Sequence, residues 1–238
     1  MNVVIPMAGR GSRFRERGYT IPKPLIEIGD KPMIQVVVEN LSLPGQHIFI
    51  CLGEQIKEYS LTSLLELIAP ECKVVASEGV TEGAACTVLL AKDLIDNDDE
   101  LIIANSDQWI HWSSAHFLEY VRNPDVDGAI LTFYATHPKW SFAKVTEDGL
   151  ITEVAEKKPI SSVATCGIYY YKHGKDFVSS AEAMIQKDLR INNEFYVCPV
   201  YNEIIAKGGR ILNYPVAEMR GLGTPEDLER FIRVKGFG

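Results

Sequence analysis

The sequence predicts an α/β fold: a mostly parallel sheet with helices on both faces and an appended antiparallel portion. Three observations carry this. Between residues 3 and 104, short apolar runs of strand character alternate with stretches whose apolar residues recur at helical spacing. That βαβαβ order belongs to parallel sheets covered by helices. A glycine-bearing loop, Gly9-Arg10-Gly11-Ser12-Arg13, directly follows the first strand run, and open α/β sheets bind ligands at the carboxyl ends of their strands. Further on, Asp148-Gly149 separates two strand-like runs, a hairpin signal and hence antiparallel pairing.

Taken in order, the opening apolar run from Val3 is a strand, broken at Pro6 and Gly9. Pro32 suits a first helical turn, and Ile34, Val37, Val38 and Leu41 follow at helical spacing. Residues 47–52 are β-rich, 56–68 carry helical periodicity closed by Pro70, and 73–76 form a short strand. Residues 83–91 read as a helix of small residues, and 100–104 as a buried strand ending in Asn105-Ser106-Asp107. Ser113 caps a helix to about residue 121, and 128–134 is a strand. The hairpin joins 142–146 to 150–154, and 165–171 adds another strand. Helical patterns at 174–185 and 194–206 precede a strand at 210–214. The last helix has Thr224 as N-cap, Pro225 first, and Glu226 and Asp227 at the positive end of its dipole.

Composition bounds the function. The 238 residues are 46% hydrophobic and 24% charged, ordinary for a globular chain and enough for one full core. A net charge of −8 without a long basic run argues against a nucleic-acid partner. Cys51, Cys72, Cys86, Cys166 and Cys198 show no C-x-x-C spacing and read as free thiols of a reducing compartment. The N-terminal apolar run, interrupted by Pro6 and Gly9, fits neither a signal peptide nor a membrane span. A soluble cytoplasmic protein with no membrane partner is expected.

Four stretches could carry chemistry. Glycines after a strand turn backbone N–H groups toward an anion, and Arg13 adds a guanidinium fork suited to phosphate oxygens. Lys23, held between Pro22 and Pro24, adds a compact charge. The loop is not a dinucleotide fingerprint, because Phe14 stands where the third glycine belongs, and no G-K-[ST] makes it a P-loop. Asp107 ends a strand on the same sheet edge, placed to hold a divalent metal against a phosphate. Thr81-Glu82-Gly83-Ala84-Ala85 opens a helix with residues small enough for a flat ring to approach, and Glu156-Lys157-Lys158-Pro159 brings two lysines after the hairpin. Each alone also reads as a turn, a loop aspartate, close helix packing or a solvated surface.

Together they are recognisable. M-A-G-R-G-S-R-F followed by P-K-P-L-I-E-I-G-D-K-P-M-I resembles the G-x-G-x-R and P-K-P-L signature of sugar-phosphate nucleotidyltransferases, the nucleoside-diphosphate-sugar pyrophosphorylases. E-G-A-A-C-T resembles their nucleobase turn, N-S-D their metal-binding segment, E-K-K-P their E-K-P, and G-L-G-T-P-E-D-L a segment near their C-terminus. More narrowly, the chain resembles a short group tied to bacterial capsule and surface-polysaccharide clusters, often labelled family 2 glycosyltransferases.

The resemblance implies a Rossmann-like (GT-A-like) sheet, with residues 1–135 as the nucleotide-binding part and 136–238 as the acceptor-binding part with the C-terminal helix. It implies an Mg²⁺-dependent transfer of NMP from a nucleoside triphosphate to a phosphorylated small molecule. Ala8, Gly9, Arg10, Gly11, Glu78, Gly83 and Ala84 would bind the nucleotide. Arg13 would meet the leaving pyrophosphate, Lys23 the α-phosphate, and Asp107 the metal. Glu156, Gly167 and one of Lys157 and Lys158 would bind the acceptor.

Two departures stand out. The late segment Tyr196-Val197-Cys198-Pro199-Val200-Tyr201-Asn202 lacks a second metal-binding Asp, which leaves Asn202, a phosphate oxygen or Asp107 alone to complete the shell. Glu78 stands where relatives that use UTP or dTTP often have Gln, which favours CTP. Trp109, Trp112, Trp140 and Tyr169 either line the acceptor pocket or pack in the core. The sequence stops soon after the last helix, so no acyltransferase-type extension is expected. Oligomeric state stays open, a homo-oligomer included. Two other readings compete: a GT-A glycosyltransferase using a nucleotide sugar, against which Asn105 breaks the D-x-D pattern, and a non-catalytic nucleotide-binding homologue.

Overall fold

Val3, Val4 and Ile5 have no solvent exposure at all, and their alternation explains the architecture. Val3 and Ile5 face one hydrophobic core and Val4 the other, so a strand apolar on both faces needs helices on both faces. Burying each such side chain stabilises by about 1.5–3 kcal/mol. The structure, a computed structural model, describes residues 1–123 and 125–236.

In chain order, β1 (Asn2–Pro6), α1 (Ser12–Glu16), β2 (Glu27–Ile28), β3 (Lys31–Pro32) and α2 (Met33–Leu41) come first. Next are β4 (Gln46–Leu52), α3 (Gly53–Glu58), α4 (Leu61–Ile68), β5 (Lys73–Ser77), α5 (Ala84–Leu89) and α6 (Lys92–Ile95). β6 (Leu101–Ala104), β7 (Gln108–His111), α7 (Ser114–Val121) and β8 (Gly128–Tyr134) follow. Then come β9 (Ser141–Val145), β10 (Leu150–Glu156), β11 (Val163–Tyr171) and α8 (Gly174–Gln186). The chain closes with α9 (Tyr201–Ala206), β12 (Ile211–Pro215), β13 (Glu218–Gly221) and α10 (Pro225–Lys235).

One sheet runs through the molecule in the order β5-β4-β1-β6-β11-β8-β12-β10-β9. Its first four strands are parallel, in the α/β pattern the sequence predicts. The antiparallel portion continues this sheet from β11 onward, and among the described residues β8 and β12 are the parallel pair in that half. Leu41, Leu65, Phe117 and Phe231 pack on one face. Val88, Phe177, Met184 and Tyr201 pack on the other. Among the described residues no helix is long and apolar enough to cross a membrane, and all five cysteines are free.

The structure corrects two helices. The single helix expected over 56–68 is two, because Ser60 adopts a left-handed backbone (φ 51°) between α3 and α4. The helix expected from 194 begins only at Tyr201. Glu194 exchanges backbone hydrogen bonds with Ile191, and Phe195 bonds to Glu82 and Ala85, so tertiary partners claim these groups before a helix can. Three short features carry too little periodicity to be read in advance: α1, the β2–β3 pair, and the β7–β13 pair that carries residues 218–221 beside the chain just past Asp107.

Candidate functional site

The parallel register of β1 with β6, Val4 opposite Ile103, sets the loop after β1 beside Asn105-Ser106-Asp107. The turn after β5 joins them on the same edge. Between this edge and the antiparallel half lies a cleft of about 610 Å³. Ala8, Gly9, Arg13, Lys23, Gly83, Ala84 and Asp107 line it from one side, and Trp140, Glu156, Lys157, Gly167 and Tyr169 from the other.

At the phosphate-suited end, a side chain on Gly9 would meet nothing within 4 Å, so its backbone is open to a ligand. Gly11 does something different. Its left-handed turn (φ 62°) starts α1, and a Cβ there would lie 3.2 Å from Lys23 Cβ; the glycine lets the Lys23 segment close. Lys23 Nζ then donates to Asp107 Oδ2 at 2.7 Å, with the two side chains 22% and 26% exposed. Asp107 is also gripped from behind: its carbonyl accepts the Leu222 N–H at 2.7 Å, and a Cβ on Gly223 would fall 2.7 Å from Oδ2. A second cleft carboxylate, Asp227, pairs with Lys139 at 3.1 Å in the helical first turn that Thr224 caps.

At the turn after β5, glycine is the residue type that fits position 83 (φ 124°). A Cβ there would lie 2.5 Å from both the N and O of Phe195. Phe195 N–H donates to the Glu82 carbonyl at 2.7 Å, and Ala85 N–H donates to the Phe195 carbonyl at 2.9 Å.

The opposite wall is polar and enclosed. Ser141 Oγ donates to Glu156, Thr165 and Tyr169 hydroxyls meet at 3.2 Å, and burial raises the Glu156 carboxyl above its ordinary value against the pull of Ser141 and Lys157. Gly167 (φ 75°) accepts from Asn105 N–H and Gln108 Nε2. Lys157 has a left-handed backbone (φ 52°), and its Nζ donates to Tyr196 Oη, which donates to Glu194.

Several expected residues lie elsewhere. Arg10 and Glu78 are exposed and outside the cleft lining, so base discrimination through Glu78 has no geometric support. Lys158 faces a separate cavity of about 340 Å³, which leaves Lys157 as the member of that pair in the cleft. Asn202 lines that second cavity too, and its amide is committed to β10: Nδ2 donates to the Val154 carbonyl at 2.9 Å, and Oδ1 accepts the Val154 N–H at 3.0 Å. It is not brought to Asp107, which corrects its assignment as a metal ligand. Trp140 and Tyr169 line the cleft. Trp109 packs beneath Lys235 and against Phe231, and Trp112 bonds the Asn40 carbonyl. Sequence reasoning missed Lys139, Ser141, Glu194, Tyr196 and Asp227 as cleft residues; of these, Asp227 lies within G-T-P-E-D-L and Tyr196 opens the late segment that lacks the second Asp, while the other three stand in no motif.

Among the described residues no cluster of three or more His, Cys, Asp or Glu could hold a metal by itself. Asp107 fits a hard cation as a one-point anchor whose other ligands are water and ligand oxygens, the usual manner for Mg²⁺ with phosphates.

Comparison with known proteins adds a separate line. A family model described as Nucleotidyl transferase matches residues 2–197. The chain is 29% identical over 191 residues to the probable glucose-1-phosphate cytidylyltransferase of Bacillus subtilis, covering 71% of this chain and 74% of that one. It is 25% identical over 235 residues to the Bifunctional protein GlmU of Thermotoga maritima, covering 96% of this chain and 50% of that one. The chain thus spans half or less of the length of relatives of that name. In fold it matches the crystal structure of the nucleoside-diphosphate-sugar pyrophosphorylase from Vibrio cholerae RC9 with a TM-score of 0.82 and 24% identity, over 97% of this chain and 99% of that one.

Proposed function

The chain belongs to the nucleotidyl transferase family, and on that premise we propose that it transfers NMP from a nucleoside triphosphate to a sugar phosphate or other phosphorylated metabolite, releasing pyrophosphate. The observation that carries this is one cleft with the Lys23–Asp107 pair on one wall and Lys157 on the other. Cations from both walls of one cleft suit two phosphorylated ligands meeting end to end.

The chemistry asks little of protein acids or bases. An oxygen of the acceptor's phosphate, already anionic, attacks the α-phosphorus in line; the bond from that phosphorus to the bridging oxygen breaks, and pyrophosphate leaves with the electron pair. No protein nucleophile or general base is needed, so catalysis is positioning and charge neutralisation. Gly9 presents backbone donors to the triphosphate, Lys23 neutralises the α-phosphate, and Arg13 meets the pyrophosphate. Lys157 holds the acceptor phosphate, with Glu156 and the Gly167 region beside its remaining groups. Asp107 would hold Mg²⁺, which supplies neutralisation of triphosphate charge when bound; Lys23 must then exchange Asp107 for a phosphate oxygen.

CTP is the triphosphate we favour, with UTP and dTTP next; the Bacillus subtilis relative's name supports this choice. A role in capsule or surface-polysaccharide precursor synthesis, in the cytoplasm where triphosphates are available, completes the reading. The test is pyrophosphate release with Mg²⁺, each common triphosphate and a panel of phosphorylated acceptors. Acceptor-dependent release with one triphosphate, lost in Lys23→Ala, is expected. Hydrolysis of a nucleotide sugar instead, or nucleotide binding without turnover, would overturn it.

A further inference from the structure

One segment, from Arg190 to Val197, touches both halves of the cleft. On the base side, Phe195 is bonded through both backbone groups to Glu82 and Ala85, and Arg190 pairs with Glu82 at 3.0 Å while lying 4.4 Å over the Phe195 ring. One residue on, Tyr196 crosses to the other wall. There Lys157 Nζ sits 4.4 Å over the Tyr196 ring and donates to its hydroxyl, which donates in turn to Glu194.

Lys157 needs such a hold. Its left-handed backbone (φ 52°) is fixed by an N–H bond to the Trp140 carbonyl at 3.1 Å, but its side chain is long and rotamer-rich. An aromatic face with a hydroxyl acceptor removes much of that freedom before any ligand arrives. An ammonium has three N–H donors, so one bond to Tyr196 leaves two for ligand oxygens. Burial and the neighbouring Glu194 keep the Tyr196 phenol protonated, which lets it accept from Lys157 and donate to Glu194 at once.

We propose that Tyr196 and Glu194 are positioning residues that hold Lys157 for the acceptor's phosphate, on a strap whose Phe195 closes the base-side turn. This rests on the reading in which Lys157 meets that phosphate. One segment thereby sets both the nucleotide wall and the acceptor cation.

The test uses Tyr196→Phe, which keeps the ring and removes the hydroxyl, Glu194→Gln, and Lys157→Met, alone and combined. Two measurements are made on the full chain: steady-state kinetics with glucose 1-phosphate as the probe acceptor, and calorimetric titration of inorganic phosphate. Tyr196→Phe should raise the acceptor KM and the phosphate Kd about tenfold, the loss expected for a hydrogen bond to a charged group. It should leave the triphosphate KM unchanged and add nothing in the Lys157→Met background; Glu194→Gln should move the same way by a smaller factor. An unchanged KM and Kd, or an equal effect with Lys157 already removed, would overturn the clasp. A wild-type protein without turnover on any pair would sink the nucleotidyl-transfer reading, while the phosphate titration still reads the clasp. Phosphate binding indifferent to Lys157→Met would overturn it as well.

Discussion

Replacing Gly83 with alanine adds one methyl group at the point where the turn after β5 meets Phe195. The backbone there, φ 124° and ψ 173°, lies in a region essentially reserved for glycine, and holding another residue in it costs about 1–3 kcal/mol. The new Cβ would lie 2.5 Å from Phe195 N and O, so the two chains must part by roughly 1 Å to reach ordinary contact. That movement stretches the bonds of 2.7 and 2.9 Å that tie Phe195 to Glu82 and Ala85 beyond hydrogen-bonding range, at about 1 kcal/mol each. The expected loss is about 3–5 kcal/mol. With a urea m-value near 3 kcal/mol/M, the unfolding midpoint should fall by at least about 1 M, and triphosphate affinity should fall with it. Gly79→Ala is the control: it lies in the same loop, its Cβ would meet nothing within 4 Å, and its φ is not positive, so its midpoint should stay put. A Gly83→Ala midpoint within about 0.3 M of wild type, a shift of about 1 kcal/mol, would refute the reasoning.

Four further expectations follow from the same geometry. Asp107→Asn and Lys23→Ala should each change stability by less than about 1 kcal/mol, because their pair is partly exposed, yet lower turnover at least about 100-fold; unchanged turnover in either would refute their roles. Lys157→Ala should raise the acceptor KM and Lys158→Ala should not, since only Lys157 lines the main cleft; steady-state kinetics decides, and an equal effect would fail the assignment. Burial raises the Glu156 carboxyl above 4.5, so the fold favours its protonated form. That contribution is complete below the ordinary carboxylate value and is lost as pH rises through the raised one. Glu156→Gln, always neutral, should therefore gain in urea midpoint relative to wild type as pH rises, and a flat difference would count against burial as the cause. Asn202→Leu should lose about 1–3 kcal/mol by orphaning the Val154 backbone groups, with the Mg²⁺ requirement of turnover unaltered; a shifted requirement would restore Asn202 to the metal site.

Much of the fold was legible because it rests on local patterns. Val3, Val4 and Ile5 declare a strand buried on both faces, and Thr224-Pro225-Glu226-Asp227 declares a helix start that α10 reproduces, down to the Thr224 cap. Residues 194–197 show where locality ends: their pattern suggests a helix, but Phe195 finds better hydrogen-bond partners more than a hundred positions away. The break at Ser60 is likewise a backbone choice that no apolar periodicity records.

For the cleft, the sequence alone determined which residues stand at the carboxyl ends of β1, β5 and β6, because strand order along the chain and glycine placement are written in consecutive letters. That accounts for Gly9, Arg13, Lys23, Gly83 and Asp107. It could not say which of two adjacent lysines faces inward, since successive side chains diverge and only the turn after β10 decides. Nor could it say that Gly11 serves Lys23, that Asn202 belongs to β10, or that Tyr196 reaches Lys157. Those are contacts between segments far apart in the chain. Their energies depend on distances of a few ångströms, which only the packed sheet and its crossing loops bring about.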